Sequence, residues 1–269
     1  MLLKNVSPQD QVMKKIFLFI ILISVIPLLG KAQSTAQVLD TMQFNNQLEI
    51  ANQLIEYEFF TQLAKDKFIK LPETSDFEWY SYKENNTWHS IGGNSTGDSF
   101  SIKNHNIFDS VNSISEFTGT SDTSKLNALG SALALANVQF QVIRDTSSIY
   151  FNSFVIPNPD QTVSIRFLPA FQPSGQAIYG CEWEYDFNST GKKLLSQSSY
   201  IGNITGVWVG QPRELWLNYR STEQPTLGSV FFALSFRDYF TRIRIDTRFS
   251  TSTTSKDKNG NYTWNHKMK

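Results

Sequence analysis

IYGCEWEYDFNSTGKKLLSQSSY, residues 178–200, decides the fold class. Cys181, Trp183, Tyr185 and Phe187 fall on one side of an extended chain, and Glu182, Glu184 and Asp186 fall on the other, because successive side chains alternate across a strand. Asn188-Ser189-Thr190-Gly191 interrupts the alternation in the order of a type I turn closed by a left-handed Gly. Ile178–Phe187 and Lys192–Tyr200 therefore read as the two arms of an antiparallel hairpin.

The same pattern extends in both directions. Ile149–Ile156 and Thr162–Leu168 flank the turn Pro157-Asn158-Pro159-Asp160, whose residues restrict the backbone to turn conformations. Phe77–Tyr82 and Thr87–Ile91 flank Lys83-Glu84-Asn85-Asn86 and form a second hairpin, followed by a polar loop at Gly92–Gly97. Asn104–Phe117 is compatible with either helix or strand. Arg213–Arg220, Gly228–Phe236 and Thr241–Thr247 read as further strands, with a closing hairpin at Lys258-Asn259-Gly260. Two segments carry helical spacing. Thr35–Lys67 places Leu48, Ala51, Ile55, Phe59 and Leu63 on one stripe, and Pro72 ends any continuation. Ser124–Ala136, capped by Asp122 or Thr123, turns Leu126, Leu129 and Leu133 inward. The expected class is α+β: a long N-terminal helix and a second short helix packed on antiparallel β-sheet built from hairpins.

Residues 1–32 read as an export signal, with the true start at Met13. Lys14 and Lys15 precede the apolar run Ile16–Leu29, which falls short of the roughly 20 residues that span a bilayer. Gly30 and Ala32 supply the small side chains of a cleavage site after Ala32. Residues 33–269 then form a single exported domain in the periplasm or outside the cell, with no transmembrane segment after cleavage. Removing the segment takes away Lys4, Lys14, Lys15, Lys31 and Asp10 and leaves the chain three charges net negative. A chain so balanced lacks the basic field of a nucleic-acid binder. Its single Cys excludes an internal disulfide, so stability must come from a core in which aromatic residues make up 14% of the sequence.

The motifs that match catalytic signatures lack the context their chemistry needs. Gly93-Asn94-Ser95-Thr96-Gly97 matches a nucleophile elbow, but Asp98-Ser99-Phe100-Ser101-Ile102 alternates as a strand where a helix is required. Ser189-Thr190-Gly191-Lys192 matches S-x-x-K inside a hairpin turn. Asp257–Asn261 resembles a calcium loop, with Tyr262 where Gly is needed and Met268 where a bidentate Glu is needed, and reads as a plain turn. His89, His105 and His266 have no metal-ligand spacing, and no cofactor motif is present. Cys181 belongs to the apolar face of its strand and reads as a small buried hydrophobe. Glu182 and Glu184 share a face roughly 6.6 Å apart at about 3.3 Å per residue, which suits a glycosidase pair in separation but not in placement on opposite sides of a bond.

Two surface features invite a ligand. Arg242, Arg244 and Arg248 share a strand face with Asp246 and match carboxylate or phosphate geometry, unless acids such as Glu182, Glu184 and Asp186 pair with them. Trp208 sits in Ile201–Pro212, where Gly202, Gly206 and Gly210 disfavour a strand and suggest a loop offering an aromatic anchor. The hairpin Glu184–Leu194 resembles hairpins of exported bacterial domains, and that likeness implies no function. The expected role is non-catalytic binding or scaffolding of an unknown envelope component or protein. The alternatives are an envelope-polymer or glycan hydrolase using Glu182 and Glu184, and an outer-membrane barrel.

Overall fold

The computed structural model describes residues 39–68, 77–96, 99–110, 113–119, 122–210 and 213–269. The export segment, the start of the first helix before residue 39, Pro72, Gly97 and Pro212 lie outside the described residues.

Helix α1, Thr41–Phe68, is followed by a four-stranded meander: β1 Glu78–Glu84, β2 Thr87–Thr96, β3 Ser99–Ser110 and β4 Ser113–Glu116. Helix α2, Thr123–Thr146, leads into a second meander: β5 Phe151–Pro157, β6 Val163–Pro169, β7 Gln176–Phe187 and β8 Leu194–Trp208. A third sheet takes β9 Glu214–Tyr219, helix α3 Leu227–Phe236, β10 Arg242–Thr247, β11 Ser250–Lys256 and β12 Tyr262–Met268, in the order β12-β11-β10-β9. Among the described residues the strands thus form three open sheets of four, and the class is α+β as the sequence indicates. β9 and β10 pair in parallel, with α3 as the crossover.

The hairpins form where their turn residues place them. Asn85 and Asn86 both have positive φ and close the β1–β2 turn, the geometry that matches strand twist. Asp122 caps α2 by accepting the amide of Lys125. The Asn188–Gly191 turn holds Gly191 at φ +70°, and the tip lies so close to α2 that a Cβ at Gly191 would overlap the carbonyl oxygen of Ala128. Asp257 accepts the amides of Asn259 and Asn261 through Oδ1, so the last hairpin is a plain turn.

Five expectations need correction. The Gly228–Phe236 strand is the helix α3, started by Thr226, which accepts the amide of Ser229. Its residues are buried on nearly every side, and a short apolar run of that kind has no readable period. The second helix is not short: it runs on to Thr146 and buries Phe140, which stacks on Phe167 at 4.0 Å. It is apolar and long enough to cross a membrane, yet most of its inner face is packed on β2, β3, β5 and β6. Both Gly92–Gly97, as far as it is described, and Ile201–Trp208 belong to strands, with bulges absorbing the irregularity at Gly92/Gly93 and opposite Gly180. The apolar stripe of α1 is rotated: Phe44, Ala51, Leu54, Tyr57, Phe60 and Ala64 are buried, while Phe59 is exposed.

α1 packs on α3, β1, β2 and β5. At its start Phe44 meets Trp264 and His266 of β12 edge-on, at 5.0 and 4.4 Å. Thr61 of α1 joins Ser81 and Ser90 in a buried hydroxyl chain at 2.7 and 2.6 Å, which satisfies these groups away from water. Cys181, Trp183, Tyr185 and Phe187 are all buried, as their alternation requires. The opposite face of the second sheet carries Glu182, Glu184 and Asp186.

Candidate functional site

The three acids of β7 stand in three different environments, set by the register of the second sheet. Asp186 lies between Ser164 of β6 and Ser196 of β8 and accepts both hydroxyls, at 2.6 and 2.5 Å. Glu184 lies opposite Arg166 of β6 and forms an ion pair at 2.7 Å. Glu182, nearest α3, has no cation paired with it among the described residues. Its Oε2 accepts the amide of Gly228 at 2.7 Å, and the Thr226 hydroxyl stands near enough to favour its charged form. Burial pushes its carboxyl above the usual range, against the lowering effect of those donors and of Arg166. Gly228 leaves room for this contact, because a Cβ there would stand 2.9 Å from Glu182 Oε2 and push the carboxylate aside.

These residues form one wall of a cleft of about 590 Å³. Gln47 and its neighbours on the first turns of α1 form a second wall, and residues 223–227, leading into α3, form a third. Four buried polar atoms without a hydrogen-bond partner belong to residues that line it: Gln47 Oε1, Arg166 Nε, Glu182 Oε1 and Gln224 Oε1. Each such atom costs about 1–3 kcal/mol, and a native fold tolerates few of them. A comparably large cleft beside Lys125 and Asn158 contains none of them, and its Lys125 is paired with Glu84 at 2.6 Å.

None of the four residues singled out from the sequence lines the cleft. Arg242 and Arg244 do share a face, and both reach Glu214, at 2.9 and 3.4 Å. The acid is supplied by the parallel neighbour β9 rather than by Glu182, Glu184 or Asp186, which belong to another sheet. Arg244 also lies 4.6 Å from the ring of Trp216. Arg248 falls beyond β10 in the following bend, with its guanidinium 5.1 Å from the Phe249 ring, so the strand carries two arginines. Asp246, between Arg244 and Arg248, is held by Arg220 and Lys269, both at 2.6 Å. Trp208 is the last residue of β8 and is 59% exposed.

Ser95 sits within β2 and donates to Glu78 at 2.6 Å, with strand β3 following where an elbow needs a helix. His89 and His105, unrelated in sequence spacing, meet across β2 and β3 at 2.9 Å. Burial lowers both, His105 to about 4. Among the described residues no group of three or more His, Cys, Asp or Glu could hold a metal. Arg166, Gln47, Gln224 and Thr226 are the site residues that sequence reasoning missed, and only the alternation of Arg166 opposite the β7 acids carried any signal.

No protein-family model, no curated protein and no solved structure matches this chain.

Proposed function

We propose that this is an exported, non-catalytic binding protein that holds a small polar ligand in the cleft between α1, the acidic face of the second sheet and the start of α3. The observation that carries this reading is the gathering of four unpartnered buried polar atoms around one cleft. A ligand that supplies their hydrogen bonds recovers the cost of leaving them unmade. The cleft's volume also falls within the about 300–1,000 Å³ typical of small-molecule sites. Export rests on Lys14-Lys15, the apolar run and Ala32.

Hydrolysis of an envelope glycan is the second reading. Burial that favours the protonated Glu182 suits a proton donor. Against it, Glu182 and Glu184 project from the same face of the same strand and Glu184 is tied to Arg166, whereas a glycosidase pair flanks the scissile bond.

The test is protein-observed NMR of the purified chain against mixtures of neutral sugars, amino acids, organic acids and polyamines. Binding is expected to move the side-chain amide signals of Gln47 and Gln224 without converting the bound compound. Shifts confined to other surfaces, or no shifts, would refute the reading, and turnover lost in Glu182→Gln would replace it with the hydrolase.

A further inference from the structure

Resting on the binding function proposed above, we infer that the cleft takes a neutral, hydroxyl-rich ring, a saccharide unit, with hydrogen bonds to Gln47, Gln224, Glu182 and Arg166 and a ring face against Tyr200. The first argument is charge. Arg166 is the cleft's cation and is already neutralised by Glu184, while Glu182 and Glu223 also line the walls. An anion finds no unpaired positive group there. A cation fares no better, because the amide of Gly228 and the start of α3 point at the same carboxyl, and the N-terminal end of a helix carries partial positive charge.

The second argument is the mixture of unmet groups. Gln47 Oε1, Gln224 Oε1 and Glu182 Oε1 call for donors, and Arg166 Nε calls for an acceptor. A hydroxyl is both, so one polyol answers all four, whereas an ammonium ion answers only the acceptors and a carboxylate only the donor. These atoms are buried on residues that line the cleft, so they meet a ligand only as the side chains turn toward it, a movement favoured by the bonds it makes.

The third argument is the aromatic floor. Glu182 lies opposite Tyr200 in the β7–β8 register. The Tyr200 ring stacks on Tyr219 at 5.0 Å and lies across Gly202, where any Cβ would collide with it. A Tyr ring held in this way on the lining of a polar cleft brings apolar carbon beside hydrogen-bonding groups, which is the pairing a sugar ring presents in return.

The test titrates the full chain at pH 6 with glucose, N-acetylglucosamine and their β1,4-linked disaccharides, and in parallel with putrescine and citrate, following the cleft signals by NMR. At least one saccharide is expected to shift them. Gln47→Ala and Gln224→Ala should each weaken that binding about tenfold, the loss of one good hydrogen bond. Glu182→Gln keeps an oxygen for the Gly228 amide and turns Oε1 into an NH2 donor, which a hydroxyl answers as acceptor, so affinity should hold within about threefold; a larger loss at an unchanged melting temperature would overturn the assignment of a hydroxyl to this position. If putrescine or citrate moves the cleft signals and no saccharide does, the saccharide inference is wrong while the binding function stands. If none of the three classes moves them, both are wrong.

Discussion

Gly191 and Gly260 both close hairpin turns in the left-handed region, at φ +70° and +83°, and replacing each with Ala separates two costs. Either variant forces an Ala into a region that disfavours a Cβ by about 1–2 kcal/mol. Either also gains the same modest benefit from a stiffer unfolded chain. The surroundings differ. Around Gly260 nothing lies within 4 Å of the new Cβ. At Gly191 the Cβ overlaps the Ala128 carbonyl oxygen and stands 2.8 Å from its carbon and 3.0 Å from the Ala132 nitrogen. Those are backbone atoms of α2, which cannot rotate away, so the hairpin tip must lift from the helix. Overpacking of that kind costs about 1–3 kcal/mol. Gly191→Ala should therefore destabilise by about 1–3 kcal/mol more than Gly260→Ala. Urea unfolding with matched m-values measures the difference. If the two variants lie within about 0.5 kcal/mol of each other, the turn is not seated on α2.

Burial raises the Cys181 thiol to about 12, so a thiol reagent should label it slowly in the native protein and fast after denaturation; equal rates would contradict its inward placement. The lowered pKa of His105, about 4 against 6.5 unperturbed, means that the unfolded chain binds more protons between those values. Stability should fall as pH drops through that window, and His105→Gln should flatten the fall, measured as unfolding midpoints at pH 7 and pH 4.5. Trp208→Ala should cost under about 1 kcal/mol because the ring is 59% exposed; a loss of about 3 kcal/mol or more would make it a core residue.

The first arm of the hairpin at 178–200 was legible because one face of β7 is buried and the other polar, so each residue reports its side; the β8 arm is exposed over residues 194–199 and was placed by the turn. The Asp122 cap and the Asn188–Gly191 turn were legible because local chemistry alone determines them. α3 was not legible, because Leu227, Val230, Phe231, Phe232 and Leu234 are all buried and leave no polar side to mark a period. The informative signal there was Thr226 before the apolar run. α1 was placed correctly, but its stripe was misjudged around Phe59, since two neighbouring phenylalanines offer two choices and packing selects Phe60. The cleft was half visible. The Glu182–Glu184 pair stood out, but Gln47, Arg166 and Gln224 come from distant segments that only tertiary packing brings together.

The contact of Phe44 with Trp264 and His266 has a consequence for how the molecule is made. α1 and β12 are the first and last described elements, so these two rings reach Phe44 only when the chain between them is already present. The two meanders in between join neighbours in sequence and can form as they emerge, because local contacts need little chain to be closed up. The junction of α1 with β12 cannot; it needs Trp264 and His266 to be present. Final closure thus depends on the C-terminal strand, and a chain ending before Trp264 would leave Phe44 without these two rings and open to other partners.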